Sequence, residues 1–297
     1  MNSIFYKPRK RLMIIYTGGT IGMIRNPETG ALETFNFDHL CKHVPEINEF
    51  GYAIHNYQFD PPIDSSDMCP ELWAHLVKII DYNYDSFDGF VILHGTDTMA
   101  YTAAALSFML ENLGKPVILT GSQLPIGVLR TDGKENLLTA IELAAAQDKD
   151  GHPMVPEVCV FFGQYLYRGN RCTKSNSEHF NAFSSYNYPP LAKTGININY
   201  NPANIRQVAA SQPFSPHYEA DAGVVALTLF PGIKKELIEN VMQMDGIKGI
   251  ILRTYGSGNA PTKDWLAEAI AKATESGKVV VNITQCQSGG VTMGLYE

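Results

Sequence analysis

What the chain lacks narrows the field first. Its 297 residues hold no block of five like charges, and Lys+Arg 23 against Asp+Glu 30 leaves a net charge of −7. An acidic chain without a basic stripe is a poor match to a nucleic acid or an anionic membrane surface. No apolar run approaches the ~18 residues needed to span a bilayer. At the N-terminus Lys7, Arg9, Lys10 and Arg11 precede only a short apolar run, Leu12 to Tyr16, before Thr17-Gly18-Gly19-Thr20. A secretory signal needs a longer apolar core and a small-residue cleavage site, so a cytoplasmic location is expected. The cysteines, Cys41, Cys69, Cys159, Cys172 and Cys286, form no Cys-x-x-Cys. Their odd number and long spacings indicate neither a disulfide framework nor a zinc knuckle. His39 and His43 lie four apart around Cys41, but without the glutamate of a zinc-protease helix no metal is expected there.

What is present reads as globular: 45% hydrophobic and 18% charged residues, in a chain long enough for two domains. Apolar runs alternate with amphipathic stretches. Strands are expected at Leu12–Thr17, Phe87–Leu93, Pro116–Thr120 and Glu157–Phe162, then at Gly223–Phe230, Gly249–Tyr255 and Lys278–Ile283. Helices are expected from Met99 to Asn112 with Gly114 as the C-terminal glycine, and after Asp132 as N-cap with Glu135 three residues on. Two more run from Lys234 to about Met244 and from Thr262 to Ser276, the second burying Trp265, Leu266, Ala269, Ile270 and Ala273. Between about 163 and 222 the apolar runs thin out and Pro189-Pro190, Pro202, Pro213 and Pro216 appear. The expected organisation is an N-terminal catalytic α/β domain over 1–190, a linker over 191–222 and a smaller C-terminal α/β domain over 223–297. Repeated strand–helix units imply mainly parallel sheets covered on both faces.

In an open parallel sheet, ligands bind beyond the carboxyl ends of the strands. The first run delivers Thr17-Gly-Gly-Thr20-Ile-Gly22, whose glycines admit close backbone approach and place a hydroxyl on a tight turn. By itself this is a turn, a phosphate-binding loop or a site. No Gly-x-x-x-x-Gly-Lys-Ser/Thr occurs, and Gly256-Ser-Gly258-Asn-Ala-Pro261 fails the dinucleotide pattern at its third glycine. The second run delivers His94-Gly95-Thr96-Asp97-Thr98, a hydroxyl beside a carboxylate. Two threonines at two strand ends suggest acyl transfer by a hydroxyl nucleophile, which needs a positioned base. No Gly-x-Ser-x-Gly elbow nominates a serine hydrolase. Lys174, in the polar loop Arg168-Gly-Asn-Arg-Cys-Thr-Lys174, is either a solvated surface lysine or that base.

Five segments together resemble the bacterial type I L-asparaginases. They are Tyr16-Thr-Gly-Gly-Thr-Ile-Gly22, Asp64-Ser-Ser-Asp-Met68, His94-Gly-Thr-Asp-Thr98, Thr120-Gly-Ser-Gln123 and Arg168-Gly-Asn-Arg171 to Lys174, in the family's order. The resemblance runs from about residue 12 to the end of the chain. It implies a larger N-terminal and a smaller C-terminal α/β domain, and hydrolysis of L-asparagine to L-aspartate and ammonia without metal or organic cofactor. Carried over by motif, Thr20 is the nucleophile and Thr96, Asp97 and Lys174 form a hydrogen-bonded set, Lys174 relaying protons. Asp97 also meets the substrate's α-ammonium, and Asp64, Ser65 and Ser66 hold its α-amino and α-carboxylate groups. The resemblance further implies a homotetramer built from close dimers, with no nucleic-acid or membrane partner.

Two departures stand out. The family's tyrosine about ten residues after the nucleophile is replaced by Gly30-Ala31-Leu32, so its assistance must come from elsewhere. Where the chain ends, at Gly294-Leu-Tyr-Glu297, family members continue through further elements of the small domain, which implies a C-terminal domain short of its last elements. The type I pattern also resembles an allosteric asparagine site made of Arg253, Thr284, Gln285 and Cys286, with Thr173 beside the lysine. Arg253 is alternatively a buried arginine satisfied by carbonyls. Competing functions are an amidase preferring glutamine or another amide, a tRNA-linked glutamate amidotransferase subunit, which should carry a nucleic-acid-binding region, and a non-catalytic amino-acid-binding module. The last predicts loss of the Thr–Thr–Asp–Lys set, and all four residues are present.

Overall fold

A strand covered on both faces must be apolar at every position, not at every second one. The computed structural model, which describes residues 9–25, 32–34, 40, 43–208, 212–292 and 294, shows this in β1 (Arg11–Tyr16). Leu12, Ile14 and Tyr16 feed the core on one side of the sheet, Met13 and Ile15 the core on the other. The strands that follow are β2 (Met23–Arg25), β3 (Leu32–Thr34), β4 (Ala53–Gln58), β5 (Gly89–Leu93), β6 (Leu110–Glu111), β7 (Val117–Thr120) and β8 (Val158–Phe162). After them come β9 (Tyr165–Arg168), β10 (Thr173–Lys174), β11 (Phe183–Ser184), β12 (Ala192–Thr194), β13 (Ile198–Tyr200) and β14 (Ser215–Pro216). Helices α1 (Pro70–Asn83) and α2 (Met99–Met109) supply the core on the Met13 side, and α3 (Gly133–Ala145) the core on the Leu12 side. Each large apolar side chain fully buried in these layers contributes roughly 1.5–3 kcal/mol.

The main sheet has the order β13-β12-β9-β8-β7-β5-β1-β4. β4, β1, β5, β7 and β8 are parallel, whereas β9, β12 and β13 run antiparallel, so the sheet is mixed at one end. After β1 the chain goes to β4 on one flank and then crosses to β5 on the other. The carboxyl ends of β1 and β5 therefore flank a switch point, the place where an open α/β sheet receives a ligand.

The strands expected from apolar runs fall within two residues of the observed ends. Three expectations change. The helix read to Asn112 stops at Met109, because Leu110–Glu111 pairs with Ser215–Pro216, and the left-handed residue is Asn112 (φ 56°) rather than Gly114. The stretch assigned to a linker over 191–222 is largely folded, since β12 and β13 extend the main sheet and Leu191, Ala192 and Ile205 enter its core. The compact units are Met1–Glu219 and Ala220–Glu297. Helix α1 and strand β4 were not singled out from the sequence. His39 and Cys41, and with them the His39–His43 pair, lie outside the described residues, as do Gly30 and Ala31.

The C-terminal unit holds the parallel sheet β15 (Val224–Thr228), β16 (Gly249–Thr254) and β17 (Val279–Thr284), in that order. Helices α4 (Lys235–Gln243) and α5 (Asp264–Glu275) close one core built on Leu227, Leu229, Ile238, Met242, Ile250, Leu252, Leu266, Ala269 and Ala273. Trp265 and Ile270 pack against this core only partly buried, a smaller contribution than the helical pattern predicts. Among the described residues no helix is long and apolar enough to cross a membrane.

Candidate active site

Three loops converge at the switch point. Thr17 N–H and its hydroxyl both donate to the Leu93 carbonyl (3.0 Å each), and Ile63 N–H donates to the Thr17 carbonyl (2.7 Å). The contact is too close for side chains. Gly19 has φ 93°, and a Cβ placed on it would stand 2.5 Å from both the Cα and the N of Gly95. A Cβ on Gly95 would in turn stand 2.5 Å from the Ser65 hydroxyl. The loops after β1 and β5 thus pack backbone against backbone, with the Ser65 side chain against Gly95, and the glycines of both motifs make that possible.

Gly19 leads directly into a short 3-10 turn, Thr20–Gly22, which presents Thr20 half-buried. Its hydroxyl has no hydrogen-bond partner among the described residues. On the adjacent loop, Lys174 Nζ donates to Thr96 Oγ1 at 2.8 Å and to Asp97 Oδ1 at 2.6 Å. The lysine side chain is 18% exposed and the aspartate 69%, so Lys174 is a screened link between a covered hydroxyl and a carboxylate open to solvent. The sequence reading that made Lys174 a surface lysine does not hold. The structure brings Thr96, Asp97 and Lys174 together across 77 residues or more, and places Thr20 on the neighbouring loop without a hydrogen bond to them.

Lys174 is held by its surroundings. It sits on β10, paired with Phe183 of β11, whose carbonyl accepts from the buried Tyr167 hydroxyl at 3.1 Å. Arg168, upstream, grips Glu157 through two hydrogen bonds (2.5 and 3.0 Å) and also donates to the Asn204 carbonyl. Glu157 is 5% exposed. Its buried charge is matched by the guanidinium fork and by Arg206 N–H, so the arginine of the Arg-Gly-Asn-Arg segment anchors the loop rather than meeting a substrate.

Asp64 opens the second motif. Its carboxylate accepts from Ser66 N–H (2.9 Å) and from the Ser66 hydroxyl (2.5 Å). The Ser66 hydroxyl first, and then its amide, hold the carboxyl below the usual carboxylate range. Asp64 and Ser66 are exposed; Ser65 is buried, and its carbonyl accepts from the Thr98 hydroxyl (2.6 Å).

Several residues without an assigned role brace the site. Gln123 Nε2 donates to the carbonyls of Ser177 and His179 (3.2 Å each), and Thr96 Oγ1 reaches Gln123 Oε1 at 3.5 Å. Asp132 does not cap α3 with its side chain; Gly133 N–H goes to the Thr131 hydroxyl instead. Its carboxylate accepts from Gln123 N–H, Leu124 N–H and Asn136 Nδ2. The capping pattern was visible, but this nonlocal use of the acid was not. His94 is buried, and burial pushes its imidazole down to about 4, opposed by the Gly95 carbonyl.

That shift carries a sign. An unfolded imidazole titrates near 6.5, so between pH 6.5 and 4 the unfolded chain binds a proton that folded His94 refuses. Stability is expected to fall by about 3 kcal/mol as pH drops through that window, and no further below it from this group. Urea melts at pH 7, 5.5 and 4 check this against His94→Asn. A parallel loss in both proteins would show that another group titrates.

In the C-terminal unit, Arg253 ends exposed on β16, and its guanidinium has no hydrogen-bond or ion-pair partner among the described residues. The reading of a buried arginine satisfied by carbonyls is thereby corrected, because Arg253 lies on the face of β16 opposite Ile250 and Leu252, which enter the core. Thr284 ends the adjacent strand, and Gln285 and Cys286 follow it. The Thr284 hydroxyl donates to the Gly256 carbonyl and accepts from Cys286 N–H, while the Gln285 amide donates to the Leu229 and Arg253 carbonyls. Gln285 is therefore a brace across strand ends. Thr173 is exposed on β10 of the N-terminal unit. Among the described residues no three His, Cys, Asp or Glu side chains gather as a metal ion would require.

The arrangement has counterparts. The family described as Asparaginase, N-terminal matches residues 11–206, and the Glutaminase/Asparaginase C-terminal domain matches 223–297. L-asparaginase 1 of Escherichia coli (strain K12) is 46% identical over 303 residues, spanning 97% of this chain and 83% of that protein. The crystal structure of L-asparaginase I from Vibrio cholerae superposes with a TM-score of 0.86 at 43% identity, covering 97% of this chain and 84% of that one. The thermostable L-asparaginase from Thermococcus kodakarensis gives 0.86 at 33% identity with the same coverage. With its segments, their order and both of its domains matched in this way, the chain belongs to the asparaginase family.

Proposed function

We propose that the chain hydrolyses L-asparagine to L-aspartate and ammonia, with Thr20 as nucleophile. The observation that carries this reading is Lys174 Nζ held between Thr96 Oγ1 and Asp97 Oδ1 beside the Gly19 turn. Thr20 Oγ attacks the side-chain amide carbon, and its proton passes through Thr96 Oγ1 to the lone pair of Lys174 as a neutral amine. Backbone N–H groups of the glycine turns face the oxygen that gains charge. The C–N bond breaks as the set returns a proton to the leaving nitrogen, and water then cleaves the threonyl ester, restoring the hydroxyl. Asp64 and Asp97 offer carboxylates to the α-ammonium, while Ser65, Ser66 and Thr96 complete the α-amino and α-carboxylate contacts. The chemistry needs neither metal nor organic cofactor.

Ammonia release from L-asparagine, L-glutamine and D-asparagine under identical conditions tests this. L-asparagine is expected to react fastest, and release from none of the three would overturn the reading. Preference for glutamine would move the substrate by one methylene, worth about 1–3 kcal/mol.

The reading extends to regulation and assembly. Asparagine binds a second time at the carboxyl edge of the C-terminal sheet, where Arg253 grips its carboxylate bidentately and Thr284 and Cys286 add polar contacts. Gln285 holds that edge. The rate–asparagine curve is expected to be sigmoidal, with coupling of about 1–3 kcal/mol, and hyperbolic in Arg253→Ala. A hyperbolic wild-type curve, with no second asparagine in calorimetry, would return Arg253 to a surface side chain. The active species is a cytoplasmic homotetramer, a dimer of dimers. Light scattering at micromolar concentration should give four times the protomer mass; a fully active monomer would defeat this.

A further inference from the structure

Among the buried polar side chains, His94 and Thr102 belong to one hydrogen-bonded group that spans three elements. His94 is 1% exposed and Thr102 fully buried. His94 Nδ1 lies 2.7 Å from the Gly95 carbonyl oxygen, and its Nε2 lies 2.9 Å from Thr102 Oγ1 on α2. Trp73 Nε1 on α1 donates to the same hydroxyl oxygen at 3.1 Å. These chemistries permit one proton arrangement. A carbonyl oxygen only accepts, so Nδ1 carries the hydrogen. The neutral ring then has Nε2 as acceptor, which the Thr102 hydroxyl must fill, and the indole N–H, a donor only, fills the lone pair left on Thr102. Burial keeps the ring neutral, consistent with that pattern.

The carbonyl so held belongs to the Gly95–Thr96 peptide. Gly95 is the point on which Gly19 presses from one side and Ser65 from the other, and the next two residues meet Lys174. His94 N–H is itself fixed by the Thr120 carbonyl (2.9 Å), so the ring is anchored independently of the loop it holds.

We propose that His94 is a positioning residue: Trp73 and Thr102 lock its imidazole in the Nδ1–H tautomer, and that N–H sets the Gly95–Thr96 peptide on which Thr96 and Asp97 stand. The inference rests on the hydrolytic reading of Thr96 and Asp97. No proton leaves His94 during turnover, and it touches no substrate.

Two substitutions separate its two bonds. In His94→Asn the shorter side chain puts an amide N–H where Nδ1 stands, keeping the bond to Gly95. In His94→Gln the amide reaches the Nε2 position, keeping Thr102 and releasing Gly95. For L-asparagine, His94→Gln is expected to lose about tenfold in kcat with a smaller rise in KM, since Thr96 and Asp97 shift while the contacts from Asp64 and Ser66 remain. His94→Asn should stay within about threefold of the parent kcat. Equal losses in both variants, or a change confined to KM, would reduce His94 to packing. If either variant fails to fold, the wild type decides alone: nitrogen-15 imidazole spectra at pH 7 should show His94 as the neutral Nδ1–H tautomer. An Nε2–H tautomer in the wild type overturns the proposal whatever the activity. A wild type that hydrolyses no amide would instead overturn the hydrolytic reading, leaving the tautomer result to stand.

Discussion

Replacing Thr20 by alanine should cost about 10⁴-fold or more in kcat for L-asparagine, because a nucleophile in a cooperating set has no substitute. The fold should not notice. Thr20 is half-buried, its hydroxyl has no partner among the described residues, and alanine tolerates the 3-10 turn. A change in stability within about 0.5 kcal/mol is expected, as for a surface position. Steady-state ammonia release beside a thermal melt decides the matter. A variant that melts like the parent and keeps more than about a tenth of turnover would take the nucleophile's role away from Thr20.

Lys174→Met should lower turnover by about 10²–10⁴-fold, the range for a positioned acid–base group. Methionine keeps the stem but loses the amine, leaving Thr96 Oγ1 and Asp97 without their partner. Asp97 is solvated, so breaking the pair should leave folding nearly intact. Combined with Thr20→Ala, the loss should be no larger than that of the worse single variant, since both act in one step. Additive losses would place Lys174 outside the reaction path.

What sequence alone settled was local. β1 is apolar at every buried position because both faces are covered, and the polar residues that follow it, Thr17 to Thr20, had to lie at the sheet's edge. The same logic placed His94 to Thr98 after β5 and Arg253 and Thr284 at the carboxyl ends of β16 and β17. The amphipathic spacing of α4 and α5 placed them within two residues. These signals are legible because periodicity and strand-end polarity are read over a few neighbouring residues.

Only the tertiary structure decided what depends on distant partners. β12 and β13 look like linker because single apolar residues such as Leu191 and Ala192 carry no period, yet β12 pairs with β9 and β13 with β12, which makes both sheet. Asp132 has the sequence of a cap, but three donors from the β7 loop and α3 claim its carboxylate. Lys174 is one polar residue among many in its loop until β10, β11 and the Arg168–Glu157 pair aim it at Thr96. His94 stands in a recognisable motif, but its tautomer is set by a threonine eight residues on and an indole on another helix. A hydrogen bond's direction depends on where both partners end up, and for these residues the fold, not the neighbouring sequence, makes that choice.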